Sequence, residues 1–213
     1  MRKLIQYSIL LLVLLFSNHL LAESDVEYEE GIDYKIIAPA QPTDDPSRIE
    51  VVEVFWYGCP HCNHFEPALE PWVKNAPKDV NFYRLPAIFA PAWEVHARAY
   101  FTAEILDVLE KSHAELFYAM HTKHESLNTV GKLAEFYSKY GIDKALFEKT
   151  YNSFVVNTRV SRSKDMVERY GITGVPALVV DGKYVVTGPM AKSYQNMIKI
   201  TDFLVEKERQ AKK

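Results

Sequence analysis

Two cysteines, Cys59 and Cys62, are the only cysteines of this 213-residue chain, and just two residues separate them. A thiolate can attack a disulfide and can also leave from one, so such a pair can cycle between dithiol and disulfide. A disulfide that closes so short a loop constrains the unfolded chain little, because the loop-closure term grows with loop length. We therefore interpret the pair as redox-active rather than as a structural crosslink.

The tetrad Cys59-Pro60-His61-Cys62 follows an apolar run and begins a predicted helix. The first turn of a helix offers free backbone N–H groups and a positive dipole end, and both stabilise a thiolate at Cys59. Pro60 suits the first helical position, which needs no N–H, and His61 can add a positive charge. A stabilised thiolate makes the disulfide a stronger oxidant. Cys62 is predicted to be the less exposed, resolving thiol.

Other roles for this segment stay open from the residues alone. His61 could be a solvated turn residue. A metal site would use four neighbouring side chains, Cys59, His61, Cys62 and His64. Four ligands within six residues seldom form a closed tetrahedral site, so the redox interpretation is favoured.

Glu53 stands inside an apolar run, where an acidic side chain is costly unless it is paired or functional. We interpret it as a candidate base for Cys62; the alternative is an ordinary salt bridge at the edge or end of a sheet. Arg84 is a plausible partner in either case. Three further histidines are expected on solvated helix faces, namely His113, His121 and His124.

Hydrophobic periodicity indicates the elements that position these residues. Alternating or continuous apolar runs predict four strands, at Ile49–Trp56, Val80–Leu85, Ala177–Val180 and Tyr184–Thr187. The last two flank Asp181-Gly182, a dipeptide favoured in tight hairpins. Helical periodicity predicts helices after the tetrad, from Ala92 to about Asn152, from there to Gly171, and over roughly Ser193–Lys207. This order predicts one small α/β sheet interrupted by an all-helical insertion.

The amino terminus is typical of a secretory signal peptide. Arg2 and Lys3 precede an apolar run too short to span a membrane, and small residues follow near Ala22. We predict that residues 1–22 are removed on export. The chain has a formal net charge of −3, whereas nucleic-acid-binding proteins typically carry an excess of basic residues. No nucleic-acid partner is therefore expected.

A second signature, Gly174-Val175-Pro176-Ala177, opens the third strand. The residues alone favour a trans peptide bond before Pro176. Taken with the tetrad after Val51-Val-Glu-Val-Phe55, and with Asp181-Gly-Lys-Tyr184, this signature closely resembles the DsbA family of the thioredoxin superfamily. The resemblance covers nearly the whole chain after the signal peptide.

The resemblance implies a thioredoxin fold with an inserted all-helical domain. Residues 23–88 and 153–213 would form a discontinuous thioredoxin-like domain, and residues 89–152 would form the insertion. It also implies that Val175 and Pro176 form a cis-proline loop facing the tetrad, whose backbone binds an extended client chain.

The same resemblance implies roles for the tetrad and for the acid beneath it. Cys59 would be the reactive cysteine and Cys62 its partner. Glu53 would correspond to the family's buried acid, with Arg84 where the family commonly has a lysine.

The function so implied is that of a periplasmic protein thiol:disulfide oxidoreductase that donates disulfides to exported, folding proteins with free thiols. A quinone-linked membrane oxidase of the DsbB type would reoxidise it. We expect a monomer without a metal or organic cofactor. The alternatives are a disulfide isomerase or reductase, and a peptide-binding chaperone module in which the disulfide is inert.

Overall fold

A computed structural model describes residues 27–212; the predicted signal peptide lies outside this range. Within it, five strands form a single sheet in the order β1-β5-β4-β2-β3. The strands are β1 (Lys35–Ile36), β2 (Ile49–Phe55), β3 (Val80–Pro86), β4 (Ala177–Val180) and β5 (Tyr184–Thr187). β2 pairs in parallel with β3, whereas the pairs β2–β4, β4–β5 and β1–β5 are antiparallel.

Eight helices accompany this sheet over the described residues. They are α1 (Pro60–Lys74), α2 (Pro91–Ile105), α3 (Leu109–His121), α4 (Val130–Ser138), α5 (Lys144–Tyr151), α6 (Phe154–Arg169), α7 (Gly188–Ala191) and α8 (Tyr194–Ala211). None of them has the length and apolarity needed to cross a bilayer. Four helices, α2 to α5, thus stand between β3 and α6, as the helical periodicity of that stretch predicts.

The central strand β2 separates two layers of the core. All seven of its residues are buried, which fits a sequence that is β-branched and aromatic apart from Glu50 and Glu53. Val51 packs into the cluster formed by α1 and α8, whereas Val52 and Val54 pack into the cluster that includes residues of α6. Side chains of a strand alternate between its two faces, so one strand serves both layers.

The helical block, which consists of α2 to α5, packs against the carboxyl end of β2. Its largest apolar cluster joins Phe55, Tyr57 and both cysteines to residues of α2, α3, α4 and α5. The tetrad therefore lies where the sheet and the helical block meet.

The hairpin between β4 and β5 has the strand bounds predicted from the sequence. Asp181 and Gly182 have φ values of 50° and 63°, the left-handed conformation that a tight turn of this kind requires. Several details differ from the predictions, among them the four-residue helix α7, which was not predicted. The two-residue strand β1 was not predicted, because so short a run carries no periodicity, and residues 122–129 break the helical stretch.

Candidate redox site

The tetrad begins α1 directly after the loop that follows β2. Cys59 is the N-cap residue, with extended backbone (φ −87°, ψ 117°), and Pro60 occupies the first turn. The N–H of Cys59 donates to the carbonyl of Trp56 at 3.0 Å, which turns the chain into the helix. Cys59 is 8% exposed and Cys62 is 0% exposed. One thiol thus lies close to the surface and the other in the core.

The environments of the two thiols drive their pKa values in opposite directions. A hydrogen bond from the Cys62 thiol, together with the backbone N–H groups of Cys62 and His61 and the charge of His61, lowers the pKa of Cys59 to about 6. Burial, and then the neighbouring Cys59, raise the pKa of Cys62 far above its ordinary value. At neutral pH the reduced pair therefore holds a thiolate at Cys59 and a thiol at Cys62.

The loop before β4 faces Cys59. The carbonyl oxygen of Val175 lies 3.6 Å from Cys59 Sγ, although 116 residues separate them in the chain. The peptide bond between Val175 and Pro176 is cis. This agrees with the family resemblance and corrects the trans bond that the residues alone favour.

A groove of about 890 Å³ runs from the tetrad along this loop. Its lining includes His61, Tyr170, Val175, Pro176 and Tyr194. The side chain of His61 is exposed, and its Nδ1 lies 3.4 Å from the hydroxyl of Tyr194. His61 therefore has a protein partner at the mouth of the groove, which a purely solvated turn residue would lack. Among residues 27–212, no group of three or more His, Cys, Asp or Glu side chains is arranged to hold a metal ion.

Beneath the tetrad, Glu53 is fully buried in the middle of β2. Its Oε2 accepts a hydrogen bond from Arg84 Nε at 2.8 Å, and Arg84 also donates to Glu66 at 3.2 Å and to Glu70 at 2.7 Å. β2 is paired on both sides, so Glu53 itself lies inside the sheet, whereas Arg84 stands on the edge strand β3. Burial and then the charge of Glu66 raise the pKa of Glu53 to about 8, despite the opposing charge of Arg84.

Comparison with known proteins assigns the family. The family model of the DSBA-like thioredoxin domain matches residues 82–197. Over 213 residues, the chain is 40% identical to the thiol:disulfide interchange protein DsbA of Pseudomonas aeruginosa, and the match covers 100% of both chains. The chain belongs to the DsbA-like thioredoxin family. A relative of the same name from Azotobacter vinelandii is also 40% identical, over 99% of this chain and 100% of its own.

Solved structures of the DsbA family agree. The crystal structure of Pseudomonas aeruginosa DsbA is 41% identical, with a TM-score of 0.83 over 86% of this chain and 96% of that one. The oxidoreductase DsbA of Xylella fastidiosa is 36% identical, with a TM-score of 0.82 over 86% of this chain and 98% of its own. The predicted family and the thioredoxin fold with a helical insertion are thus confirmed. This DsbA-like chain is a protein thiol:disulfide oxidoreductase that acts on substrate proteins.

Two histidines of α3 contact Tyr57, in the active-site loop that joins β2 to the tetrad of this DsbA-like protein. The prediction that they lie on solvated helix faces is therefore wrong. His113 is 4% exposed, and its Nδ1 lies 2.7 Å from the Tyr57 hydroxyl. His121 donates from Nε2 to the backbone carbonyl of Tyr57 at 2.7 Å. His124 is exposed, as predicted, but it follows α3 rather than lying on a helix. The sequence did hold a signal for the burial of His113. It lies four residues after Leu109 and three before Leu116, and therefore on the apolar side of α3.

An aromatic stack beside the tetrad was also not predicted from the sequence. The indole rings of Trp56 and Trp93 are stacked, with centroids 4.1 Å apart and planes 5° apart. Trp56 Nε1 donates to His96 Nδ1 at 3.0 Å. A Cβ at Gly58 would lie 2.3 Å from the Trp56 ring, so the glycine next to Cys59 is required by close approach. Gly58 between an apolar run and the tetrad was the available signal.

Proposed function

We propose that this chain donates disulfides to exported proteins, with Cys59 as the reactive cysteine and Cys62 as the resolving one. The supporting observation is the asymmetry of the pair. A group that leaves as a stabilised thiolate leaves faster, and a disulfide whose reduced form is stabilised is more oxidising. The low pKa of Cys59 and the burial of Cys62 favour both properties.

The reaction would start from a Cys59–Cys62 disulfide. A client thiolate attacks Cys59 Sγ, forms a bond to it and displaces Cys62, which takes up a proton in its buried site. A second client thiolate then attacks the client sulfur of this mixed disulfide, and Cys59 leaves as a thiolate. The client loses two electrons and gains a disulfide, while the pair gains two electrons and one proton at Cys62.

Glu53 is proposed as the group that exchanges this proton with Cys62. Its raised pKa means that it carries a proton at neutral pH, so it can protonate Cys62 when that sulfur is displaced and accept the proton back on reoxidation. Its Oε1 is buried and has no hydrogen-bond partner among the described residues. Arg84 holds the other oxygen and, as a guanidinium, does not exchange protons itself.

Client binding is assigned to the loop at Val175 and Pro176. The Val175 carbonyl lies beside Cys59 Sγ, and a backbone acceptor there can pair with an extended client chain as a neighbouring strand would. Pro60 contributes by opening the first turn without needing a hydrogen-bond partner, and His61 by its charge.

The remaining proposals follow from the family and the amino terminus. Residues 1–22 would direct export to the periplasm and be removed, and a quinone-linked membrane oxidase of the DsbB type would reoxidise the pair. The protein would act as a monomer. Residues 23–88 and 153–213 would form the thioredoxin-like domain, and residues 89–152 the insertion that covers the tetrad.

The deciding experiment is the redox equilibrium of the purified protein with glutathione, combined with the pH dependence of Cys59 alkylation. An oxidising equilibrium and an alkylation midpoint near pH 6 are expected. A reducing equilibrium with an ordinary thiol midpoint would favour a reductase or isomerase. Client oxidation by the double variant C59S/C62S would overturn the proposal, and client binding without oxidation by wild type would favour the chaperone alternative.

A further inference from the structure

His113 joins three elements at the centre of the molecule. It extends from α3 and packs edge-to-face against the rings of Phe55 and Phe117, with centroid distances of 5.4 and 5.3 Å. Its Nδ1 lies 2.7 Å from the Tyr57 hydroxyl and its Nε2 lies 3.4 Å from Glu66 Oε1. The helical block therefore contacts both the active-site loop and α1 through one polar side chain.

The partners of His113 define its protonation. A carboxylate can only accept a hydrogen bond, so Nε2 carries the hydrogen that faces Glu66. Burial and the charge of Arg84 lower the pKa of His113, which favours the neutral ring. In a neutral ring with its hydrogen on Nε2, Nδ1 is the acceptor and the Tyr57 hydroxyl donates to it.

Glu66 is the point at which this chain of hydrogen bonds meets the acid beneath the tetrad. Its Oε1 faces His113, and its Oε2 accepts from Arg84, which also binds Glu53. Burial alone would raise the pKa of Glu66, but the hydrogen bond from His113 and the charge of Arg84 outweigh it and lower the pKa. An ionised Glu66 in turn opposes a second negative charge on Glu53.

We propose that His113 is a positioning residue of the redox centre: its neutral imidazole links the Tyr57 hydroxyl to Glu66 and holds Glu66 as a carboxylate, which keeps the proton on Glu53. Only the expected effect on the rate at which Cys62 reacts rests on the function proposed for Glu53. The helical insertion thereby contributes to the electrostatics of the site as well as covering it. The titratable and charged groups around His113 are Tyr57, Glu66, Glu70, Arg84 and Tyr100.

The first test is nuclear magnetic resonance of the reduced protein labelled with ¹³C at the glutamate carboxyls, with E66Q and E53Q to assign the two signals. In H113L, which keeps the apolar contacts and removes the donor, the titration midpoint of Glu66 should rise by about three pH units, so that Glu66 is partly protonated where Glu53 titrates, and the midpoint of Glu53 should then fall. H113Q supplies an amide N–H towards Glu66 and should keep both midpoints near those of wild type. Unchanged midpoints in H113L would overturn the proposal.

A measurement on the wild type covers the case in which H113L does not fold. The ¹⁵N spectrum of labelled histidine should show His113 as a neutral imidazole with its hydrogen on Nε2 at pH 7. A protonated ring, or a hydrogen on Nδ1, would overturn the proposal without any variant. Y57F is the matched control, because it removes the hydroxyl but leaves the donor to Glu66, so the Glu66 midpoint should not rise.

The kinetic test separates this inference from the function of Glu53. Cys62 attacks a mixed disulfide of Cys59 with glutathione, and the release of glutathione is followed against pH. In H113L the midpoint of this profile should move about one unit lower, because Glu53 ionises more easily. If the carboxyl midpoints move and the profile does not, His113 has the proposed effect on Glu66 while the role of Glu53 is overturned.

Discussion

Arg84 lies directly opposite Glu53 in the parallel register of β2 and β3, and its Nε donates to Glu53 Oε2 at 2.8 Å. A guanidinium stays protonated throughout the physiological range, so changes of protonation at this pair occur on the glutamate. Because burial and Glu66 raise the pKa of Glu53, the folded protein keeps a proton there that the unfolded chain releases. The stability of the protein should therefore depend on pH through this carboxyl group.

The variant E53Q should remove that dependence. The folded-state pKa of about 8 exceeds the unfolded value of about 4.3, so the stabilising protonated state is fully present below pH 4.3 and its contribution is lost as pH rises through 8. Between pH 5 and pH 8, the free energy of unfolding of wild type should fall by at least about 1 kcal/mol relative to E53Q. Urea unfolding of the oxidised proteins measures this without interference from Cys59.

E115Q is a suitable control for that experiment, because Glu115 is an exposed residue of α3. Surface substitutions of this kind usually change stability by less than about 0.5 kcal/mol. Its unfolding curves should follow those of wild type at each pH. Parallel pH dependences for E53Q and wild type would contradict the raised pKa of Glu53.

The reduced protein should be more stable at neutral than at acidic pH relative to the oxidised protein. Cys59 has a folded pKa of about 6, against about 8.5 in an unfolded chain, so the thiolate's contribution is largest above 8.5 and is lost as pH falls through 6. Between pH 5 and pH 7 the reduced form should gain about 1.4 kcal/mol over the oxidised form. Urea unfolding of both forms measures it. C59S, which lacks the thiolate and forms no disulfide, is the control, and its stability should show no such gain over the oxidised wild type between these pH values.

The site was predictable from the sequence where its determinants are local. The tetrad, the strand before it and the Asp181-Gly182 hairpin depend on residues close together in the chain, and their positions agree with the structure. The contact between Cys59 and Val175 joins residues far apart in sequence, and family resemblance rather than periodicity indicated it.

The pairing of Arg84 with Glu53 was predicted from the sequence and is confirmed, but the rest of the buried polar network was not predictable in the same way. Arg84 meets Glu53, Glu66 and Glu70 because two strands and α1 converge there, and no pattern within one element encodes that convergence. His113 illustrates the limit. A histidine on an amphipathic helix is compatible with either face, and its burial becomes clear from the Tyr57 and Glu66 side chains that satisfy both ring nitrogens.

His61 and Tyr194 should tune the redox equilibrium together. The charge of His61 is one cause of the low pKa of Cys59, so H61A should make the protein less oxidising, by up to about tenfold in the equilibrium with glutathione. A charged His61 donates from Nδ1 to the Tyr194 hydroxyl, 3.4 Å away, and this hydrogen bond favours the charged ring, so Y194F should act in the same direction but more weakly. The double variant should resemble H61A alone.

Tyr118 offers the matched control for Y194F. It is 46% exposed on α3, and its ring contacts Lys123 rather than the tetrad. Y118F should leave the glutathione equilibrium unchanged. An equal effect of Y118F and Y194F would show that the His61 contact does not carry the change.

Gly58 should tolerate no side chain without disturbing the aromatic stack beside the tetrad. An alanine Cβ there would lie 2.3 Å from Trp56 Cζ2, and the indole cannot move away without leaving Trp93. G58A should therefore lower the free energy of unfolding by about 1–3 kcal/mol and change the tryptophan emission of the folded protein. G131A is the control, because nothing lies within 4 Å of a Cβ at that glycine of α4, and it should not lower the free energy of unfolding. If G58A kept the stability and emission of wild type, the stack would have to accommodate the methyl group, and the glycine before Cys59 would need another explanation.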